Sequence, residues 1–431
     1  MAPFSTMVAL KMNASALFVG VLYATHLGSF ALQLLTIHQV QRLGNRIVII
    51  LWHSIAVIAV LPTLFLPEVW ERYPQIAPLY LVCVLALRHM TRALGITGWM
   101  PLIQDNVPKE SRGRFFGAMR TCWQVTMLLW MISLAFMVGD DAPWELIRFV
   151  FLLGVIGHLC YVTLVWMVVE LPPVGVSAPL LELISHPFRD PRYRWTLFYV
   201  FAYSLALGLA DPYRVVFLKQ LQYGDSMLLA GPAAMALGGI LTLHGWGRLT
   251  DRVGNRAVFS VSHIAMMSCC FGWLLVDETR SGMIIAITLF VAIGIFNGGN
   301  GIALTRHILG VINRKDQASY LTITSVLGIS TSGIAGLLGG VFLKWGDESV
   351  GIASGLSAYQ VLFMVSGALF LFPFLIRAKL REASDYSSAE VVSFITRPLR
   401  VMLGTIAVLP EPGTKDEKSE KLTQSRKGAK N

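Results

Sequence analysis

The sequence predicts an all-α membrane protein made of two similar halves, and three observations carry that prediction. Hydrophobic residues make up 55% of the 431 residues and charged residues only 14%, against about 25% charged in soluble domains. Eleven apolar runs of helix length follow one another: 14–37, 47–67, 77–103, 115–138, 146–169, 195–218, 228–246, 256–276, 282–305, 320–343 and 357–376. The phrase Arg42-Leu43-Gly44-Asn45-Arg46 returns 210 positions later as Arg252-Val253-Gly254-Asn255-Arg256. Each copy ends one run and opens the next. A repeat at half the chain length is the mark of an internal duplication.

Each run is long enough for its role. A bilayer core about 30 Å thick needs about 20 apolar residues per helix. Barrel strands would be about ten residues long with strict alternation, whereas these runs are continuous mixtures of Leu, Ile, Met and Ala. The first five runs fall in a bundle over 1–169. The stretch 170–194 follows, with Pro172, Pro173, Pro179, Pro187 and Pro191 and the bases Arg189, Arg192 and Arg194. Its prolines and polar residues mark it as the linker between halves. Six runs fill 195–376. The tail 377–431 is basic, with an alternating stretch from Ser387 to Leu409 that reads as interfacial and a Lys/Glu/Ser-rich end that reads as disordered.

The net charge of +10 follows the membrane rather than a nucleic-acid partner. Most Lys and Arg residues lie in alternate loops, around Arg42, Arg112, Arg192, Arg252 and Arg314, and in the tail. The opposite connections carry or border one each: Arg72, Arg148, Lys219, Arg280 and Lys344. Because positive loops stay in the cytoplasm, those loops and the C-terminus are expected there, in a cytoplasmic (inner) membrane. Cys83, Cys122, Cys160, Cys269 and Cys270 all lie in apolar runs without a metal-type spacing and read as packing residues.

The repeat also serves as a ruler. Shifting the run 195–218 back by 210 places its counterpart mostly before Met1. Residues 1–10 are apolar but span only about 15 Å as a helix. Eleven complete helices and a remnant of a twelfth, truncated at the start, are therefore expected.

Around the second copy the chain reads Gly247-Arg248-Leu249-Thr250-Asp251-Arg252-Val253-Gly254-Asn255-Arg256. This resembles the G-x-L-x-D-R-x-G-R-[KR] loop of the major facilitator superfamily (MFS), with Asn255 in place of the first base of the final pair. The resemblance extends to helix number, repeat and topology over residues 14–376. It implies two pseudo-symmetric six-helix bundles and alternating access to a central site. It also implies a gating role for Gly247, Asp251, Arg252, Gly254 and Arg256, with Asp251 docking on the opposite half near Arg112 and Arg114. The first copy is degenerate: Gln41 stands at the Asp position, beside Arg42, Gly44 and Arg46, so the latch is expected to be asymmetric.

Charges inside spans are costly and mark sites or partners. Arg88 and Arg92 lie one turn apart in the run 77–103, and Asp211 and Arg214 share a face in the run 195–218; the alternative to a substrate or coupling role is structural, with Asp211 pairing locally with Arg214 or across the halves with Arg88. These runs would be two of the four that line the central cavity in the resembled family. Asn297-Gly298-Gly299-Asn300-Gly301 lies in a third; it fits a discontinuous helix with Asn297 and Asn300 at the site, and close helix packing explains its glycines equally well. The excess of positive charge favours an anionic or polar solute. His26, His53, His89 and His158 are candidate proton carriers.

The leading reading is a secondary active transporter of a small solute, coupled to a proton or another cation. It is expected to act as a monomer in the lipid bilayer with no cofactor. The alternative is a transport-inactive relative serving as a sensor or assembly partner. No nucleotide-binding GxxxxGK[ST] loop is present, no HEXXH or GXSXG site supports an enzyme, and no cluster has metal-ligand spacing. The run 115–138 lacks the G-x-x-x-G-P-x-x-G-G pattern of the family's drug–proton antiporters.

Overall fold

Where apolar runs meet a charged glycine turn, the chain reverses and a new helix begins. The structure, a computed structural model, describes residues 2–107, 112–170, 180–312, 317–346 and 356–380. The short helix α1 (Ala2–Lys11) comes first. The spans of the first half are α2 (Ala16–Thr36), α3 (Asn45–Arg72), α4 (Ala77–Gly98), α5 (Arg112–Val138) and α6 (Trp144–Met167). Those of the second are α7 (Arg194–Gln220), α8 (Asp225–Val253), α9 (Asn255–Leu275), α10 (Arg280–Val311), α11 (Gln317–Gly346) and α12 (Ala358–Lys379). Among the described residues, 11 helices are long and apolar enough to cross a membrane, one for each run of the sequence.

Several boundaries have visible causes. Gly44 (φ 90°, ψ 162°) and Gly254 (φ 83°, ψ 168°) hold the turns before α3 and α9, in a backbone region nearly reserved for glycine. Ser357 and Gln360 form a reciprocal capping box at the start of α12. Within α7 the helix breaks at Asp211 and Pro212, because proline lacks the N–H that would continue the ladder. The suggested break in α10 is not found: Asn297–Gly301 is helical throughout, within an unbroken Arg280–Val311. Packing explains this. Gly299 would place a Cβ 2.7 Å from the Trp246 ring of α8, so glycine here permits close approach instead of unwinding.

The halves meet along α2 with α11 and α5 with α8. A Cβ on Gly20 would lie 3.0 Å from the Gly336 carbonyl oxygen, and one on Gly333 2.6 Å from the Gly28 nitrogen. Small residues thus let α2 and α11 approach at backbone distance, as helices do in lipid. The outer surface carries exposed Phe136, Met167 and Trp345, which suits a bilayer and not water. α1 inserts Phe4, Met7 and Val8, all buried, and Lys11 pairs with Asp141. The second half of the linker forms a helix, Leu180–Arg189. Residues 171–179 and the tail from Arg381, including Ser387–Leu409, lie outside the described residues.

At the face opposite the basic loops the halves are joined through backbone. The Asp225 N–H donates to the Asp140 carbonyl at 3.1 Å and the Ser226 N–H to the Gly139 carbonyl at 2.7 Å. The buried Asp225 carboxylate accepts from the Ala142 N–H at 3.2 Å and from Lys219 Nζ at 3.0 Å.

Candidate transport site

Arg88 and Arg92 stand on α4, four residues apart and therefore on one helix face. Both are half-buried, and among the described residues neither has an acidic partner at ion-pair distance. Gly95 continues the same face, and a Cβ there would lie 2.6 Å from Cδ2 of His53 on α3. His53 Nδ1 and His158 Nε2 of α6 are 2.8 Å apart, and the Tyr161 ring packs on His53 at 4.7 Å. On the other side of α4, His89 meets His26 of α2, with ring centroids 4.6 Å apart. All four sequence-singled histidines thus flank the α4 segment that carries the arginines. Among the described residues no group of three or more His, Cys, Asp or Glu is arranged to hold a metal ion.

Asp211 lies at the break of α7 and is committed to partners. It accepts from Arg214 Nη1 at 2.6 Å and from the Tyr23 hydroxyl of α2 at 2.9 Å. Arg214 is 1% exposed and Asp211 29% exposed at the side chain, and among the described residues no ion pair joins Asp211 to Arg88. Tyr23 makes the Asp211–Arg214 pair a junction between the halves. Removing Asp211 would leave the buried Arg214 guanidinium uncompensated.

Asn297 and Asn300 are placed against α7. Tyr203 donates to Asn297 Oδ1 at 2.8 Å, Tyr199 donates to Asn300 Oδ1, and His263 Nε2 of α9 lies 3.1 Å from the Tyr199 hydroxyl. One turn nearer the basic face, Thr196 Oγ1 and His307 Nε2 are 2.9 Å apart. This forms a polar ladder between α7 and α10. Tyr23, Tyr199, Tyr203, His263 and His307 are site residues that the sequence alone does not single out. Their signal was present: Thr196, Tyr199 and Tyr203 recur at three- and four-residue steps, as do Asn297, Asn300 and, two turns on, His307.

Around the gating phrase, Asp251 Oδ1 lies 3.3 Å from Arg306 Nη1 of its own half. The side chains of Arg112, Arg114 and Gln41 lie outside the described residues. Gly247 has open space at its Cβ position, while Arg42 and Arg252 are exposed. Arg46 and Arg256 bind carbonyls: Arg46 Nη1 donates to Val168 O at 3.1 Å, and Arg256 Nε donates to Leu380 O at 3.0 Å.

Among the described residues, 11 membrane-length helices with polar groups packed between them define a multi-span membrane protein. A model of the Major Facilitator Superfamily matches residues 1–336. The chain belongs to that superfamily, a family of transporters and not of enzymes. Solved structures agree on the fold. A D-xylose–proton symporter shares 13% identity at a TM-score of 0.68, covering 90% of this chain and 94% of that one. A point mutant of the nucleoside transporter NupG shares 14% identity at a TM-score of 0.65, covering 88% and 95%. The xylose transporter XylE from E. coli, in an inward-open conformation, shares 12% at 0.65, covering 91% and 95%. No curated protein matches the sequence.

Proposed function

We propose that this transporter carries a small anionic solute by alternating access, and that Arg88 and Arg92 of α4 hold the anion. One observation carries the reading: two half-buried guanidiniums inside the membrane lack an acidic partner among the described residues, while Asp211, the acid within the span α7, is occupied by Arg214 and Tyr23. Charge at membrane depth is tolerated where it is paired or serves a pathway. Two guanidiniums one turn apart suit a carboxylate or phosphate, which each can bind in bidentate fashion. Asn297 and Asn300 then act as struts of the α7–α10 contact, and Asp211 and Arg214 as a junction between moving halves. The hydrogen bonds at Asp140, Gly139 and Asp225 favour a state closed at the face opposite the basic loops. By the charge rule, the basic face is cytoplasmic.

The test is uptake into proteoliposomes of lactate, succinate and glucose 6-phosphate, with xylose and uridine as uncharged controls. Each Arg→Gln substitution should lower anion uptake about 10–100-fold, the equivalent of one charge-assisted hydrogen bond. Uptake of an uncharged control, unchanged in R88Q and R92Q, would overturn the assignment. Wild type that moves no solute yet retains a stable protein partner on purification would instead favour the sensor reading.

A further inference from the structure

We propose that His53 and His158 together form the site that takes up a coupling proton, and that anion binding at Arg88 and Arg92 licenses its uptake. The inference rests on the anion reading above and adds the coupling site to it. Its basis is the 2.8 Å approach of His53 Nδ1 to His158 Nε2, inside a bundle and beside the arginine-bearing face of α4.

The pair has one open proton position whichever tautomer it adopts. A neutral imidazole carries one N–H and one bare nitrogen. If His53 donates across the bridge, its Nε2 is bare and His158 Nδ1 bears a proton. If His158 donates, its Nδ1 is bare and His53 Nε2 bears one. In both cases one outward nitrogen can accept a proton, and both outward nitrogens are buried with no hydrogen-bond partner. One added proton gives three N–H groups on four nitrogens, an imidazolium donating to an imidazole. That charge-assisted bond is stronger than the neutral one it replaces. No bond other than N–H forms or breaks: the proton comes from water on one side and is returned to water on the other.

The surroundings make uptake conditional. The titratable and charged groups facing the pair are Arg88 and Arg92 of α4 and Tyr161 on α6 itself. None of these is an acid. A third positive charge beside two guanidiniums in a poorly screened interior is unfavourable, and an anion on the guanidiniums removes that cost. Anion and proton therefore favour each other's binding, and by linkage the effect is reciprocal. A carrier built this way moves the two together. Gly95, in van der Waals reach of His53, gives α4 a direct contact through which its position bears on the pair.

The experiment measures the apparent affinity for the best-transported of lactate, succinate and glucose 6-phosphate between pH 5.5 and 8.5, for wild type and for H53Q and H158Q. Glutamine keeps a hydrogen-bonding group but does not titrate. Wild type should lose affinity by about 5–150-fold as pH rises, the usual span of a coupling energy, and both variants should bind the anion with little pH dependence. In liposomes, an inward proton gradient should drive uptake by wild type, while the variants retain anion exchange without stimulation. Anion transport with unaltered pH dependence in H53Q and H158Q would overturn this proposal and leave the anion reading intact. Uptake of no anion by wild type would overturn both. If the variants fail to fold, wild type in detergent with a pH dye decides: proton uptake on anion addition supports the pair, and its absence sinks it.

Discussion

The two copies of the repeated phrase behave alike where they fold the protein and differ where they carry charge. In the first half, Gly44 turns the chain, and Arg46 reaches the Val168 carbonyl at the end of α6. In the second, Gly254 turns it, and Arg256 reaches the Leu380 carbonyl just after α12. Arg46 and Arg256 are 210 apart, and their acceptors 212 apart. The glycine and the final arginine are thus one device used twice, a clasp fastening the turn between the second and third helices to the end of the last. The difference lies beside the clasp. Glu170 accepts from the backbone N–H groups of Asn45 and Arg46 at the start of α3, where a negative charge suits the helix dipole. The second copy carries its acid in front, at Asp251, facing Arg306. Duplication preserved the fastening and let the charges diverge.

The largest expected effect tests the turn. Gly44→Ala must place a Cβ at φ 90°, 2.8 Å from Glu170 Oε1, so it meets backbone strain of about 1–3 kcal/mol and also displaces a capping carboxylate. Gly254→Ala meets the same strain. Thermal unfolding in detergent should show both variants destabilised, with Gly44→Ala the worse. Equal stability of Gly44→Ala and wild type would break the account of the turn.

Next come the clasps themselves. Arg46→Ala and Arg256→Ala each remove charged donors from a helix-end carbonyl, at a cost of about 1–2 kcal/mol after allowing for their partial exposure. The two losses should match within about 0.5 kcal/mol and should add in the double variant, because the sites are distant. A loss at one site alone would show that only one half uses the device. Glu170→Gln should cost about 1 kcal/mol, in the range of lost helix caps, and no second-half substitution at Asp251 should mimic it.

Much of this was legible before any coordinates. Span number follows from hydrophobic thickness alone, and the turn at Gly44 and Gly254 follows from the repeat, since a duplicated glycine between two runs has few other uses. What the sequence hid was pairing across distance. Arg46 and Val168 are 122 positions apart, and nothing local distinguishes a carbonyl that will receive an arginine. The tyrosines of α7 look like ordinary apolar span residues until α10 brings Asn297 and Asn300 against them. The glycines of α10 leave a helix break and close packing equally open in sequence, because glycine disfavours a helix by about 1 kcal/mol and also admits a neighbour. The packed Trp246 ring decides for packing. Asp211 was legible in part: its pairing with Arg214 three residues on is a local possibility that the structure bears out, whereas its partner Tyr23 lies 188 positions away in the other half.

The smallest expected effect concerns the acid that the family resemblance made most prominent. Asp251 is 72% and Arg306 45% exposed at the side chain, so their 3.3 Å pair is screened and contributes at most about 1 kcal/mol. A double-mutant cycle of Asp251→Asn and Arg306→Gln, read by thermal unfolding, should give a coupling of that size at low salt that fades by about 0.5 M salt, where the Debye length is only about 4 Å. Stability is thus a poor readout of Asp251, and transport is the informative one. An intramolecular pair within one half should move with that half and leave the rate of alternation nearly unchanged. If Asp251→Asn instead slows transport many-fold while Arg306→Gln does not, Asp251 must also meet a group outside its own half during the cycle. The two copies of the phrase would then differ in mechanism and not merely in charge.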